Sequence, residues 1–115
     1  MRNKISDNEI YQAIRTVGLD PDSRKHVGKY SLGMRQRLGI AQAIMENPDI
    51  LLLDEPMNGL DTQGGNDMKK LIQKLRKEGK TIILVSHHLD DIDELCNVVY
   101  KMENGNLMKC RGEDI

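Results

Sequence analysis

Apolar residues near the start of the chain recur at i, i+3, i+4 and i+7, which is typical of an amphipathic helix. Ser6 and Glu9 have the spacing of a capping box, so the first helix is predicted to begin there and to end at Gly18. A turn and a basic connector over residues 24–29 follow. A second helix is predicted to begin near Ser31–Gly33 and to stop before Asn47-Pro48.

The pattern changes at Ile50–Leu53, a continuous apolar run that ends at Asp54. Such a run predicts a strand buried on both faces of a parallel sheet. Thr81–Val85 is a second β-branched strand, and helical spacing over residues 68–75, closed by Gly79, predicts a helix between the two.

The last third of the chain predicts a short helix and a hairpin. Leu89, Ile92 and Leu95 have helical spacing, and Asn104-Gly105 is a strong turn signal between two further strands. Strand, helix, strand, helix and hairpin in this order predict an α/β fold with a mainly parallel sheet.

Composition narrows the class of protein. With 115 residues the chain fits one small domain, and its net charge of −1 gives no basic field for nucleic acid. The longest apolar run is far shorter than a membrane span of about 20 residues, and the amino terminus lacks the apolar core of a signal peptide. Cys96 and Cys110 are isolated thiols that are interpreted as packing or surface residues, and a reduced, cytoplasmic protein is expected.

Polar residues follow both predicted parallel strands. Asp54 and Glu55 come directly after the first strand, and His87 comes after the second. Ligands of α/β sheets bind beyond the carboxyl ends of strands, so these side chains are candidates for one site. Asp54 suits Mg²⁺, Glu55 suits activation of water, and His87 suits contact with a phosphate or that water. Capping of the turn by the two carboxylates, and a surface position for His87, remain alternatives.

A second candidate site lies at the start of the second helix. Ser31 offers a hydroxyl and Gly33 permits close approach of a ligand, while a helix start presents free N–H groups to an anion. An ordinary N-cap role for Ser31 is the alternative.

Four segments in order resemble the second half of an ATP-binding cassette (ABC) ATPase domain. Tyr30–Arg37 is similar to the signature sequence Leu-Ser-Gly-Gly-Gln-x-Gln-Arg, and Ile50–Pro56 to Walker B. Asn58–Asp61 resembles the D-loop and Val85–His87 the switch-histidine loop. Ser31–Leu38 is similar to the bacitracin and multidrug exporter-like branch. The resemblance implies a partial P-loop NTPase domain with a mainly parallel sheet and a helical signature subdomain.

The resemblance implies ATP and Mg²⁺ as cofactors and assigns roles at the strand ends. Asp54 would serve Mg²⁺, Glu55 would be the general base, and His87 would sense the γ-phosphate.

It also assigns roles to the signature and the D-loop. Ser31 and Gly33 would contact the γ-phosphate of ATP held by a partner subunit, and Asp61 would cross the dimer interface. Gln36 and Arg37 would orient the signature helix. Leu32 and Met34 depart from the family pattern, and Met34 cannot donate a side-chain hydrogen bond, so the trans contact would depend on Ser31 and Gly33.

The sequence contains no phosphate cradle of the form GxxxxGK[ST]. Gly59 and Gly64 have the glycine spacing, but Gly65-Asn66 follows where Lys-Ser/Thr is required. ATPase activity of this chain alone is therefore left open. Residues 1–48 are expected to form part of the helical subdomain, and residues 49–115 the carboxy-terminal part of the ATPase core, with strands less covered than in a complete cassette.

Three functions follow from the resemblance. The chain is the carboxy-terminal part of an exporter's nucleotide-binding subunit, or a non-catalytic chain that donates its signature in trans, or an inactive truncated gene product. The first implies a second ATPase subunit in a head-to-tail dimer and a membrane permease that holds the protein at the inner face of the membrane. The sequence does not identify the transported substrate. The acidic residues 90–94 and the basic residues 69–77 are expected to be solvated faces. The alternatives are a metal site where the acidic cluster lies near His87 and His88, and a nucleic-acid contact at the basic face.

Overall fold

The computed structural model describes residues 6–22 and 31–112, which form four helices and four strands. In chain order the elements are α1 (Asp7–Thr16), α2 (Leu32–Ile44), β1 (Ile50–Asp54), α3 (Thr62–Lys77), β2 (Thr81–Val85), α4 (Leu89–Leu95), β3 (Val99–Glu103) and β4 (Asn106–Arg111). The predicted basic connector over 24–29 and Tyr30 lie outside the described residues. Every predicted helix and strand is present, and most bounds agree to within two or three residues. The exception is α3, which begins at Thr62, before the helical spacing that predicts it starts at Met68.

The first helix begins and ends at the residues that its cap signals predict. The backbone N–H of Glu9 donates to Ser6 Oγ at 3.2 Å, and the backbone N–H of Ser6 donates to a Glu9 carboxylate oxygen at 3.3 Å. Gly18, with φ of 82°, takes the left-handed conformation that ends many helices. The capping-box prediction is confirmed.

Side-chain caps also fix the starts of α2 and α3. Ser31 Oγ accepts from the backbone N–H of Met34 at 3.2 Å, and an Asp61 carboxylate oxygen accepts from the backbone N–H of Gly64 at 2.7 Å. The N-cap interpretation of Ser31 is therefore confirmed.

The central unit is a parallel pair of strands joined by a helix. β1 pairs with β2 in a register that runs from Ile50 opposite Thr81 to Asp54 opposite Val85, and α3 connects them. The polar residues that follow β1 and β2 therefore lie at one edge of the sheet.

The prediction that β1 is buried on both faces is wrong. Leu51 and Leu53 are 3% and 7% exposed, whereas Ile50 and Leu52 are 61% and 68% exposed. Within residues 6–22 and 31–112 the core lies against only one face of this sheet, so alternate side chains of β1 face solvent. This agrees with the expectation that the strands are less covered than in a complete cassette.

The hairpin forms as predicted, but as a sheet of its own. β3 and β4 pair antiparallel, and Asn104 and Gly105 have φ of 51° and 78° at the turn. A turn with two residues of positive φ matches the twist of a hairpin, and this is why Asn-Gly predicts one. In the described part of the chain the two sheets do not share a strand pairing.

The core joins the amino-terminal helices to the parallel unit. Its buried side chains are Ala13, Val17, Ile40, Ala41, Leu51, Leu53, Met57, Met68, Leu71, Ile72, Leu75 and Leu95. At α4 only the carboxy-terminal end is anchored, since Leu95 is 7% exposed and Leu89 is 74% exposed. Within the described ranges, no helix is both long enough and apolar enough to cross a membrane.

Candidate functional site

The candidate site lies at the carboxyl edge of β1 and β2. Asp54 is the last residue of β1, and Glu55 follows it. The backbone N–H of Glu55 donates to the carbonyl oxygen of Val85 at 2.8 Å, which ties the exit of β1 to the end of β2. Because the two strands are parallel and in register, the loop containing His87 starts beside Glu55.

Glu55 and His87 contact each other directly. The backbone N–H of His87 donates to Glu55 Oε1 at 3.1 Å, and the imidazole Nδ1 of His87 is within hydrogen-bond distance of the same oxygen. The Glu55 side chain is 24% exposed and that of His87 is 74% exposed. The structure therefore brings together two of the sequence-predicted residues and fixes one oxygen of the carboxylate.

The backbone of Glu55 has an unusual conformation. Its φ is 49°, in the left-handed region that residues other than glycine rarely adopt. Strain of this kind is held in place by surrounding contacts, here the hydrogen bonds to Val85 and His87.

Asp54 is exposed at the same edge, and its carboxylate precedes that of Glu55. Two adjacent carboxylates supply the oxygen ligands that Mg²⁺ prefers, so the residues present fit that ion. They do not supply a phosphate cradle, because GxxxxGK[ST] is missing from the sequence.

The signature residues pack on the D-loop segment of the same chain. A Cβ at Gly33 would lie 3.5 Å from Leu60 Cδ2, and a Cβ at Gly59 would lie 2.8 Å from Leu32 Cδ2. The described contacts of Ser31 and Gly33 are with α2 and this segment, and not with Glu55 or His87. The structure thus separates the signature from the strand-end pair within one chain.

Gln36 and Arg37 attach α2 to its neighbours. Gln36 Nε2 donates to the carbonyl oxygen of Asn58 at 3.3 Å, and the Arg37 guanidinium lies 3.3 Å from the Asp67 carboxylate of α3. These contacts agree with the expectation that the two residues orient the signature helix. Asp61 is exposed, and its described hydrogen bond is the α3 cap.

The acidic cluster of α4 is largely exposed, in agreement with its interpretation as a solvated face, and three of its members also make ion pairs with other elements. Lys69 Nζ of α3 lies 3.0 Å from Asp91 and 2.8 Å from Glu94, and Arg111 of β4 lies 2.9 Å from Asp93. The hydrogen bonds to Glu94 and Asp91 raise the pKa of Lys69. Sequence reasoning missed these pairs because the partners are on different elements.

His88 lies in the site beside His87, although the sequence suggested it only as a neighbour of the acidic cluster and not as a member of the strand-end site. Its ring stacks on that of His87 with centroids 4.6 Å apart, and its backbone N–H donates to Ser86 Oγ at 3.0 Å. Its position next to His87 in the sequence was the available signal.

The two cysteines agree with the prediction of packing and surface thiols. Cys110 is exposed, and Cys96 is partly buried against the core. Burial raises the pKa of the Cys96 thiol, against a smaller lowering by Arg111 and Arg76.

Comparison with known proteins gives a consistent set of relatives. A family model described as "ABC transporter" matches residues 1–58. The chain is 49% identical over 102 residues to an ABC transporter ATP-binding protein, YybJ, of Bacillus subtilis, covering 89% of this chain and 47% of that protein. It is 43% identical over 110 residues to the bacitracin transport ATP-binding protein BcrA of Enterococcus faecalis, covering 95% of this chain and 36% of that protein.

The fold is also found among solved structures. The ADP conformation of an ATP-binding cassette of an ABC transporter superposes with a TM-score of 0.82 at 23% identity, covering 96% of this chain and 46% of that one. The chain therefore spans less than half the length of the relatives it matches.

Proposed function

Because the chain belongs to the ABC transporter family, we propose that it forms the carboxy-terminal part of an exporter's nucleotide-binding subunit. The proposal carries over to this chain the function named for BcrA, an ATP-binding protein of bacitracin transport. In the complete protein, ATP binding and hydrolysis would drive export through a separate permease.

The observation that carries the proposal is the contact between Glu55 and His87 at the edge of the parallel sheet. A general base must be held in a defined orientation, with one oxygen available to take a proton from water. Glu55 Oε1 accepts from the backbone and contacts the ring of His87, which leaves Oε2 for the water. His87 acts here as the residue that positions Glu55.

Asp54 would hold Mg²⁺ and Glu55 would activate the attacking water. ABC ATPases bind ATP together with Mg²⁺. When bound, the metal neutralises charge that develops on the transferred phosphoryl group. Because this sequence lacks GxxxxGK[ST], the cradle for the phosphates would come from the remainder of a complete cassette.

The partners proposed for this function are a second ATPase subunit and a membrane permease. Ser31 and Gly33, at the start of α2, would face the γ-phosphate held by the second subunit, and Asp61 would lie at the interface between the subunits. A protein of this kind works on the cytoplasmic side of the membrane, where the permease holds it.

The test is a chimera in which these 115 residues replace the matching segment of YybJ, so that the cassette is complete. Glu55→Gln keeps the shape and removes the base, so the rate of ATP hydrolysis should fall about 10²-fold or more while ATP binding is retained. Glu46→Gln, at an exposed position in the loop after α2, is the matched control and should hydrolyse ATP at the parent rate. Unchanged hydrolysis in the Glu55 variant would exclude Glu55 as the base.

A second candidate function is donation of the signature in trans to an intact ATPase subunit. It is favoured by one observation: Ser31 is exposed at a folded helix start, in a sequence that lacks its own phosphate cradle.

Substitutions that keep the N-cap of α2 distinguish this candidate. Asn and Asp both cap helices well, but the added charge of Ser31→Asp would repel the phosphate. ATP-dependent capture of the chain by an intact YybJ subunit should therefore persist in Ser31→Asn and disappear in Ser31→Asp. Equal capture of both variants would count against the trans contact.

A further inference from the structure

We propose that Glu55, His87 and His88 form a binding site for a transition-metal ion of the Zn²⁺ class, distinct in its chemistry from a Mg²⁺ site. In the described part of the chain, these three residues are the group of His, Cys, Asp and Glu side chains whose ligand atoms converge. The proposal does not depend on the function proposed above, because it concerns binding by this chain without nucleotide.

The three ligand atoms are near enough for one ion to bridge them after a local adjustment of the side chains. One ligand atom from each residue lies within 4.8 Å of the others. Tetrahedral Zn²⁺ with bonds of about 2.0–2.1 Å holds ligand atoms about 3.4 Å apart. The ligand atoms would have to approach one another by on the order of 1 Å. The side chains of His87 and His88 can make this movement, because both are exposed and are not packed in the core.

The donor set selects the class of metal. Two imidazoles and one carboxylate are a common ligand set for Zn²⁺ with an open fourth position. Mg²⁺ prefers oxygen ligands in octahedral geometry, so a site with two nitrogen donors disfavours it. Asp54, an oxygen donor on the same edge, is not a member of the group.

Local contacts preorganise two of the ligands. The rings of His87 and His88 are stacked at 4.6 Å with an interplanar angle of 29°, and the His87 backbone N–H holds Glu55 Oε1 at 3.1 Å. An ion bound here would replace the hydrogen bond between Glu55 and the His87 ring. The base proposed for hydrolysis would then be a metal ligand, unable to take a proton.

The experiment is a titration of the 115-residue chain with Zn²⁺, followed by isothermal calorimetry. It is carried out in a Cys110→Ser background, because Cys110 is an exposed thiol that could bind the ion. His88→Gln removes one proposed ligand, and His26→Gln removes the third histidine of the sequence as the matched control. Far-UV circular dichroism verifies that each variant keeps the parent fold.

The expected result is binding of one Zn²⁺ per chain, with affinity about tenfold or more weaker in His88→Gln and unchanged in His26→Gln. His87→Gln, at a second exposed ligand, should reproduce the loss. Millimolar Mg²⁺ should leave the bound Zn²⁺ in place. Failure of the parent chain to bind Zn²⁺, equal losses in the His88 and His26 variants, or displacement by Mg²⁺ would each overturn the proposal.

Discussion

Gly59 is the residue at which the signature helix and the D-loop segment come closest. Its φ is 78°, and a Cβ there would lie 2.8 Å from Leu32 Cδ2. The left-handed backbone is the main reason that the position favours glycine, because Leu32 is 49% exposed and its side chain can move away from a Cβ.

Gly59→Ala should lower the free energy of unfolding by about 1–3 kcal/mol, because the Cβ of alanine makes the left-handed conformation unfavourable and displaces Leu32. Gly65→Ala is the matched control, since Gly65 lies inside α3 with open space around it. Alanine there should raise stability by up to about 1 kcal/mol. Urea unfolding of both variants measures the difference, and equal effects would contradict the argument.

At the scale of elements, Lys69 links α3 to α4. It contacts Asp91 and Glu94, and the pair with Asp91 is the better shielded, because the side chains of Lys69 and Asp91 are 22% and 17% exposed whereas that of Glu94 is 52% exposed. α4 has seven residues and buries only Leu95, so these pairs add a modest contribution to a small apolar attachment.

Lys69→Met should destabilise the protein by about 1 kcal/mol, and Lys70→Met, at the adjacent exposed position, by less than about 0.5 kcal/mol. Because Asp91 and Glu94 raise the pKa of Lys69, its stabilising effect is present at neutral pH and is lost as pH rises through that raised pKa. The stability difference between parent and Lys69→Met should therefore shrink in strongly alkaline buffer. If the stability difference between parent and Lys69→Met stays constant as pH rises, the substitution acts through lost packing and not through lost charge.

The sequence predicted individual elements better than the contacts between them. The capping box at Ser6 and the turn at Asn104-Gly105 are local signals, and the structure confirms both. The pairs of Lys69 join residues more than 20 positions apart on different helices, and helical spacing cannot detect such pairs. The contact of Glu55 with His87 was predictable because parallel strands end at a common edge.

At the scale of the whole molecule, the parallel sheet has one covered and one open face among residues 6–22 and 31–112. Ile50, Leu52, Ile83 and Val85 on the open face are 46–68% exposed. A continuous apolar run shows that a strand suits burial, but it does not show whether this chain supplies both covering layers. That is why the apolar run alone predicted burial on both faces, whereas the resemblance to only part of a cassette predicted strands with less cover. The division at residues 48 and 49 into two subdomains stays a prediction.

We expect the isolated chain to self-associate through this open face, because exposed contiguous apolar surface favours association. Leu52→Thr should reduce self-association with little change in stability, since Leu52 is 68% exposed. The adjacent residue, Leu53, is 7% exposed. Leu53→Thr should therefore lower the free energy of unfolding by about 2 kcal/mol or more. Sedimentation over a range of concentrations measures the first effect and urea unfolding the second. A parent chain that is monomeric at all concentrations and unfolds cooperatively would contradict the expectation.

The left-handed backbone of Glu55 sets the evolutionary cost of keeping its carboxylate. With φ of 49°, glycine suits the position better than any other residue, so Glu55→Gly should be about 1–2 kcal/mol more stable than Glu55→Ala. In most structured positions alanine is the more stable of the two. A glutamate in this conformation therefore costs folding stability, as expected if its carboxylate has the chemical role proposed above.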